Sequence, residues 1–116
     1  MDITSKDRGE VTVLELNGKL DLANAGKVKS MVKSLLERRR NLIHLDMTGV
    51  EFINSSGLGA MVSMMKEIRL HQGRLTLSNP APYVREIFEI TQLVNVFEIY
   101  ETADEAVASY TTPSIV

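Results

Sequence analysis

In the stretch INSSGLGAMV, residues 53–62, two hydroxyls, Ser55 and Ser56, precede two glycines, Gly57 and Gly59, where an apolar run begins. Few other residues have types suited to chemistry: the two histidines, His44 and His71, and a carboxylate, Asp46, close to the first. A serine nucleophile on a strand-to-helix turn needs the pattern G-x-S-x-G, and the residue two before Ser56 is Asn54. It also needs a base within reach. His44 sits inside an alternating, strand-like stretch, and His71 is about four helical turns beyond Ser56, so the spacing speaks against nucleophilic catalysis. Gly57-Leu58-Gly59 lacks the Gly-Lys-Ser/Thr ending of a phosphate-holding loop. His44 and Asp46 share one strand face without a third ligand, and read as a partly solvated face rather than a metal pair. With no cysteine in the chain, disulfides, thiolate metal sites and cysteine nucleophiles are excluded. The expectation is a protein that is not an enzyme and needs neither cofactor nor metal.

The elements that must position these residues follow from hydrophobic period. EVTVLELNGKLD alternates, with Val11 and Val13 on one side and Leu14 and Leu16 on the other, and reads as a strand ending at Asn17-Gly18. ITSKD is expected to pair with it across Arg8-Gly9. From Ala23 to Arg39 the period becomes helical through Val28, Met31, Val32, Leu35 and Leu36. NLIHLDM is a second alternating strand, followed by a loop at Thr48-Gly49 and a short extended piece at Phe52-Ile53. A helix is expected from about Ser55 to His71, with Gly73 as its C-terminal stop. RLTLSN reads as a strand, Pro80 and Pro82 open a helix, VFEIY is a last strand, and TADEAVASY a last helix capped by Thr102 or Asp104. The tail, residues 111–116, is expected to fray. The order is β-β-α-β-α-β-α-β-α in one domain, residues 1–116: an α/β fold with a mostly parallel sheet and right-handed crossovers.

A helical wheel assigns faces to the serine-bearing helix. At about 100° per residue, with Ser56 at the origin, Leu58, Met61, Val62, Met65 and Ile68 fall opposite it and form the core stripe. Gly59, Ala60, Ser63 and Glu67 fall within about 60° of Ser56, on a small, mostly polar stripe expected to face solvent. Ser55 lies near the core edge, where it is expected to cap the helix; serine is a strong N-cap because its oxygen accepts an orphan backbone N–H, and Asn54 suits that role as well. Glycine in a first helical turn costs up to about 1 kcal/mol relative to alanine, so Gly57 and Gly59 suggest a need for close access. An exposed serine beside a flat patch of small residues suits modification by a kinase and docking of a partner. A phosphate at a helix N-terminus meets free N–H groups and the positive end of the helix dipole. It adds about −1.5 to −2 charges, which a close interface of small side chains would meet directly.

Bulk properties narrow the partners. The formal net charge is −2, which gives no footprint for nucleic acid or an anionic membrane. Glu37-Arg38-Arg39-Arg40, the one basic cluster, reads as a helix end, where cations meet the negative pole of the dipole. No apolar stretch approaches the roughly 20 residues of a membrane span, and MDITSKDRGE has no apolar segment of a secretory signal. A cytoplasmic location is expected.

LDMTGVEFINSSGLGAMV resembles the central motif of STAS domains, in particular of the bacterial anti-sigma factor antagonists: a strand, D-L-S/T, a short apolar extended piece, then D-S-S/A-G-L-G opening a helix. NGKLDLANA resembles the family's other signature, G-x-L-D after the second strand. The resemblance extends over essentially the whole chain and implies a small sheet with helices mainly on one face. It implies an antagonist that binds an anti-sigma factor which is also a serine kinase. The kinase phosphorylates the second serine, here Ser56 rather than Ser55, binding is lost, and a PP2C-type phosphatase restores it. It places Asp21 near Ser56, and makes Asp21, Asn54, Ser55, Ser56, Gly57, Gly59, Ala60 and Ser63 the partner-binding set. The chain departs from the pattern at Asn54, where the family usually has an acid. Two other roles compete: a constitutive STAS scaffold, in a signalling assembly or as an accessory subunit of a lipid-transport ATPase, and a nucleotide-binding module.

Overall fold

The computed structural model describes residues 1–111; beyond Thr111, the expected frayed tail lies outside the described residues. The elements are β1 (Asp2–Arg8), β2 (Val11–Leu20), α1 (Leu22–Glu37), β3 (Leu42–Ile53), α2 (Ser55–Leu70), β4 (Arg74–Ser78), α3 (Pro82–Ile90), a short 3₁₀ turn, β5 (Glu98–Tyr100) and α4 (Ala103–Thr111). Their order is the expected one. The strands form one sheet in chain order. β1 is antiparallel to β2 and the remaining pairs are parallel. Right-handed crossovers that always step the same way along a sheet deliver their helices to one face. Accordingly α1, α2 and α3 share a core with Leu14, Leu16, Ile43, Leu45 and Leu77. α4 follows the last strand and packs on the opposite face, with Val107 against Val11 and Val13. Thr102 caps it, its Oγ1 accepting the Glu105 N–H at 3.1 Å.

Two turn signals do not end their strands. β2 continues through Asn17-Gly18 to Leu20, and β3 runs unbroken through Thr48-Gly49 to Ile53. The pairing absorbs both through register shifts between Glu15 and Asn17 and between Gly18 and Lys19. Gly18 takes a φ of 122° there, and a Cβ on Gly49 would fall on the Asn17 side chain. These glycines therefore serve bulges, which bend a strand without stopping it. α2 ends at Leu70, just before Gly73 as expected, and the left-handed residue of its stop is Gln72, with φ 59°. Gly73 follows it and donates its N–H to the Ile68 carbonyl at 2.8 Å.

His44 is not on a partly solvated face: it is fully buried under α4. Its Nδ1 lies 2.7 Å from Thr76 Oγ1 and its Nε2 2.7 Å from Ser78 Oγ. Tyr110 OH donates to the Ile43 carbonyl at 2.6 Å, so Thr76, 2.9 Å away, donates to the Tyr110 oxygen. That leaves Thr76 Oγ1 to accept from Nδ1–H and Ser78 to donate to Nε2, which fixes the neutral tautomer. Burial lowers the His44 pKa from 6.5 to about 4. Because the folded pKa lies below the unfolded one, the unfolded chain takes up the proton first as pH falls. The stabilisation is complete above about pH 6.5 and declines as the pH approaches 4, by about 3 kcal/mol in all. Urea midpoints measured between pH 7 and pH 4.5 should therefore drop more in the wild-type chain than in His44→Gln.

Candidate functional site

The site grows from two strand ends that finish level. Leu20, the last residue of β2, pairs with Ile53, the last of β3, and the Asn54 N–H donates to the Leu20 carbonyl at 3.4 Å. The next residue in each strand turns the chain into a helix with nearly the same backbone: Asp21 at φ −113°, ψ −173° and Asn54 at φ −116°, ψ −176°. Each carries a side-chain oxygen that accepts the N–H three residues on, Asp21 from Asn24 at 3.0 Å and Asn54 from Gly57 at 2.9 Å. The starts of α1 and α2 thus lie side by side at the C-terminal edge of the sheet, and the start of α3 follows at the end of β4. Proline at the first position of α3 needs no N–H there.

Asn54, not Ser55, is the N-cap of α2. Asparagine and aspartate cap about equally well, so an amide keeps the architecture while removing a charge beside the serines. Ser55 and Ser56 become the first two residues of the helix, and both are exposed. Neither hydroxyl has a hydrogen-bond partner among the described residues. The Gly57 and Leu58 N–H groups are taken by Asn54, which leaves the Ser55 and Ser56 N–H groups as the open donors of the helix end.

The wheel was rotated by about 70° from the true face of α2. The buried residues are Gly57, Ala60, Met61, Met64, Met65 and Ile68, whereas Leu58 and Val62 are half-buried. Ala60, expected on the solvent stripe, is only 9% exposed. The reason is that α2 packs on two partners, the sheet and α1. Two of its small residues, Gly57 and Ala60, fall on the buried side, and a pattern read from large apolar side chains misses that side. A Cβ on Gly57 would fall on the Leu20 carbonyl oxygen and 3.1 Å from Ile53 Cγ1, so the close access this glycine provides is internal. Gly59 is different: a Cβ there would meet nothing within 4 Å.

Of the expected binding set, the surface at this edge therefore contains Ser55, Ser56 and Gly59, with Asp21 and Asn54 half-buried at the two helix starts, whereas Ser63, also half-buried, lies about two turns further along α2. Three apolar side chains at the same edge were not anticipated: Leu22 at the start of α1, Phe52 near the end of β3 and Tyr83 in the first turn of α3, exposed by 75%, 41% and 39%. Exposed aromatic and apolar side chains are a common feature of interface centres, and these three belong to the elements that meet at the edge where α2 starts. The sequence signal was Leu22 itself, an apolar residue directly after a cap. Among the described residues no group of three or more acidic or histidine side chains could hold a metal ion, and no helix is long and apolar enough to cross a membrane.

Residues 2–106 match the STAS domain family. An anti-sigma-B factor antagonist of Listeria monocytogenes is 28% identical over 105 residues, spanning 90% of this chain and 91% of that protein. The crystal structure of a Thermotoga maritima protein assigned as an anti-sigma factor antagonist superposes with a TM-score of 0.86 at 30% identity, covering 92% of both chains. SpoIIAA of Bacillus, in its phosphorylated form, shares the fold with a TM-score of 0.74 at 23% identity, covering 94% of this chain and 99% of its own.

Proposed function

The chain belongs to the STAS domain family, and on that premise we propose that it is an anti-sigma factor antagonist switched by phosphorylation of Ser56. The observation that carries this reading is the pair of exposed serines whose helix is already capped by Asn54. Their hydroxyls have no structural task, and Ser56 stands between the starts of α1 and α3. In the unmodified state the α2 N-terminus, with Leu22, Phe52 and Tyr83 around it, docks an anti-sigma factor that is also a serine kinase. The kinase transfers the γ-phosphoryl group of ATP to Ser56 Oγ, with loss of the hydroxyl proton, and ADP leaves. The fold accepts the product, because the phosphate sits by the open N–H groups of the helix end. The interface does not accept it, because the added charge of about −1.5 to −2 has no room to stay solvated once a partner closes over it. A PP2C-type phosphatase then hydrolyses the phosphoester and returns the serine.

Ser56 is preferred to Ser55 because it is the second serine of the pair before Gly57, the position that the resemblance to the anti-sigma factor antagonists marks. Phosphopeptide mapping after incubation of the chain with its bound kinase and ATP should find the label on Ser56. Label confined to Ser55, or absent from both, would leave a constitutive scaffold as the better description, a role that the uncharged Asn54 also suits.

A further inference from the structure

Resting on the antagonist reading above, we propose that the partner's footprint extends from α2 onto α1, where an acidic, amphipathic helix of the same anti-sigma factor lies in the groove between the two helices. The first observation is a second glycine without an internal purpose. Gly26 and Gly59 are each the fifth residue of their helix, on neighbouring helices that start level. A Cβ on either would meet nothing within 4 Å, although glycine is among the poorest helix formers. Both are exposed, at the same level of two helices that begin at one edge of the sheet, and Gly59 lies three residues after Ser56. The second observation is the groove of about 490 Å³ between α1 and α2, with Val32, Leu36 and Met64 in its floor. Ser63 and Glu67, which follow Ser56 and Gly59 along the same side of α2, line it, so it is continuous with the serine surface.

The third observation is charge. The α1 wall of the groove carries Lys29 and Lys33, both exposed and without an ion-pair partner among the described residues. α1 holds three lysines and one glutamate in a chain whose net charge is −2. An apolar floor beside a row of free ammonium groups fits an amphipathic helix with carboxylates on one flank. Glu67 on α2 lies level with Lys33 on α1, and Glu37 and His71 come after them along the two helices, so the positive charge that no carboxylate of the groove offsets is at Lys29, and the acidic end of the docked helix lies toward Ser56.

The test is calorimetric titration of the full chain with the anti-sigma factor that binds it, at low and high salt. The double variant Lys29→Glu/Lys33→Glu should bind about tenfold more weakly or worse at roughly 50 mM salt, the deficit shrinking as salt screens it. Lys29→Arg/Lys33→Arg should bind like wild type. Gly26→Gln should weaken binding without lowering the melting temperature. If Ser56→Asp weakens binding but the charge-reversed variant binds as tightly as wild type at low salt, the footprint stops at α2 and this proposal alone is wrong. If no anti-sigma factor binds the wild-type chain, the antagonist reading fails and this one with it.

Discussion

Ser56→Asp is expected to weaken the complex with the anti-sigma factor by roughly a hundredfold, while Ser56→Ala stays near wild type. The serine is exposed in the free chain, so neither change disturbs packing. Alanine removes only a hydroxyl that has no partner among the described residues. Aspartate puts a carboxylate at the second position of α2, where the helix dipole favours it before binding. Once Leu22, Phe52 and Tyr83 are covered, that carboxylate is desolvated with no basic side chain of this chain's α2 first turn to pair with. Leaving one buried charge unpaired costs about 3 kcal/mol or more, and each 1.4 kcal/mol is about tenfold in affinity. Aspartate has less charge than phosphate and a shorter reach, so phosphorylation should have the larger effect. Calorimetric titration measures the affinities, and circular dichroism checks that both variants fold. Wild-type affinity in a folded Ser56→Asp chain would favour the constitutive scaffold.

Gly57→Ala and Gly59→Ala, two residues apart, are expected to move stability in opposite directions. The new methyl at position 57 would occupy the place of the Leu20 carbonyl oxygen and lie 3.0 Å from its carbon. Those are backbone atoms at the end of β2, so relief requires α2 to move off the strand. Overpacking of that kind outweighs the gain in helix propensity, and a net loss of about 3 kcal/mol is expected. For a chain of this size the melting temperature should fall by roughly 10 °C. At position 59 the methyl has open space, and the better helix former should add up to about 1 kcal/mol. Thermal melts of the two variants read this directly. A stable Gly57→Ala would mean that α2 does not sit as close to β2 as the fold places it. The pair also separates structure from docking, because Gly59→Ala can lose partner affinity only through the surface it presents.

The element order was legible in the sequence because period and punctuation are local properties. The change from alternation in EVTVLEL to helical spacing after Ala23, and back again in NLIHLDM, needs no tertiary information. The parallel sheet followed from that order, since parallel strands need crossovers and crossovers have a hand. The serine pair at a helix start was likewise legible. What the sequence did not disclose is what each turn signal and each small residue is for. Asn17-Gly18 and Thr48-Gly49 became bulges, because the β2–β3 ladder continues past them to Leu20 and Ile53, and continued pairing gains more than turning. His44 became a buried node, because α4 comes back across the second face from a position far away in the chain.

The face of α2 was decided by tertiary structure alone. Its large apolar residues point in one mean direction, and its burial points in another, because Gly57 is buried against the end of β2 and Ala60 lies on the same buried side. The same glycine letter therefore means opposite things at 57 and 59: no room for a side chain at one, and open space at the other. By itself the sequence determined which elements form and which residue types stand at the start of α2. Which of those residues face the core and which face a partner depended on the distances between elements, a long-range quantity that no local pattern encodes.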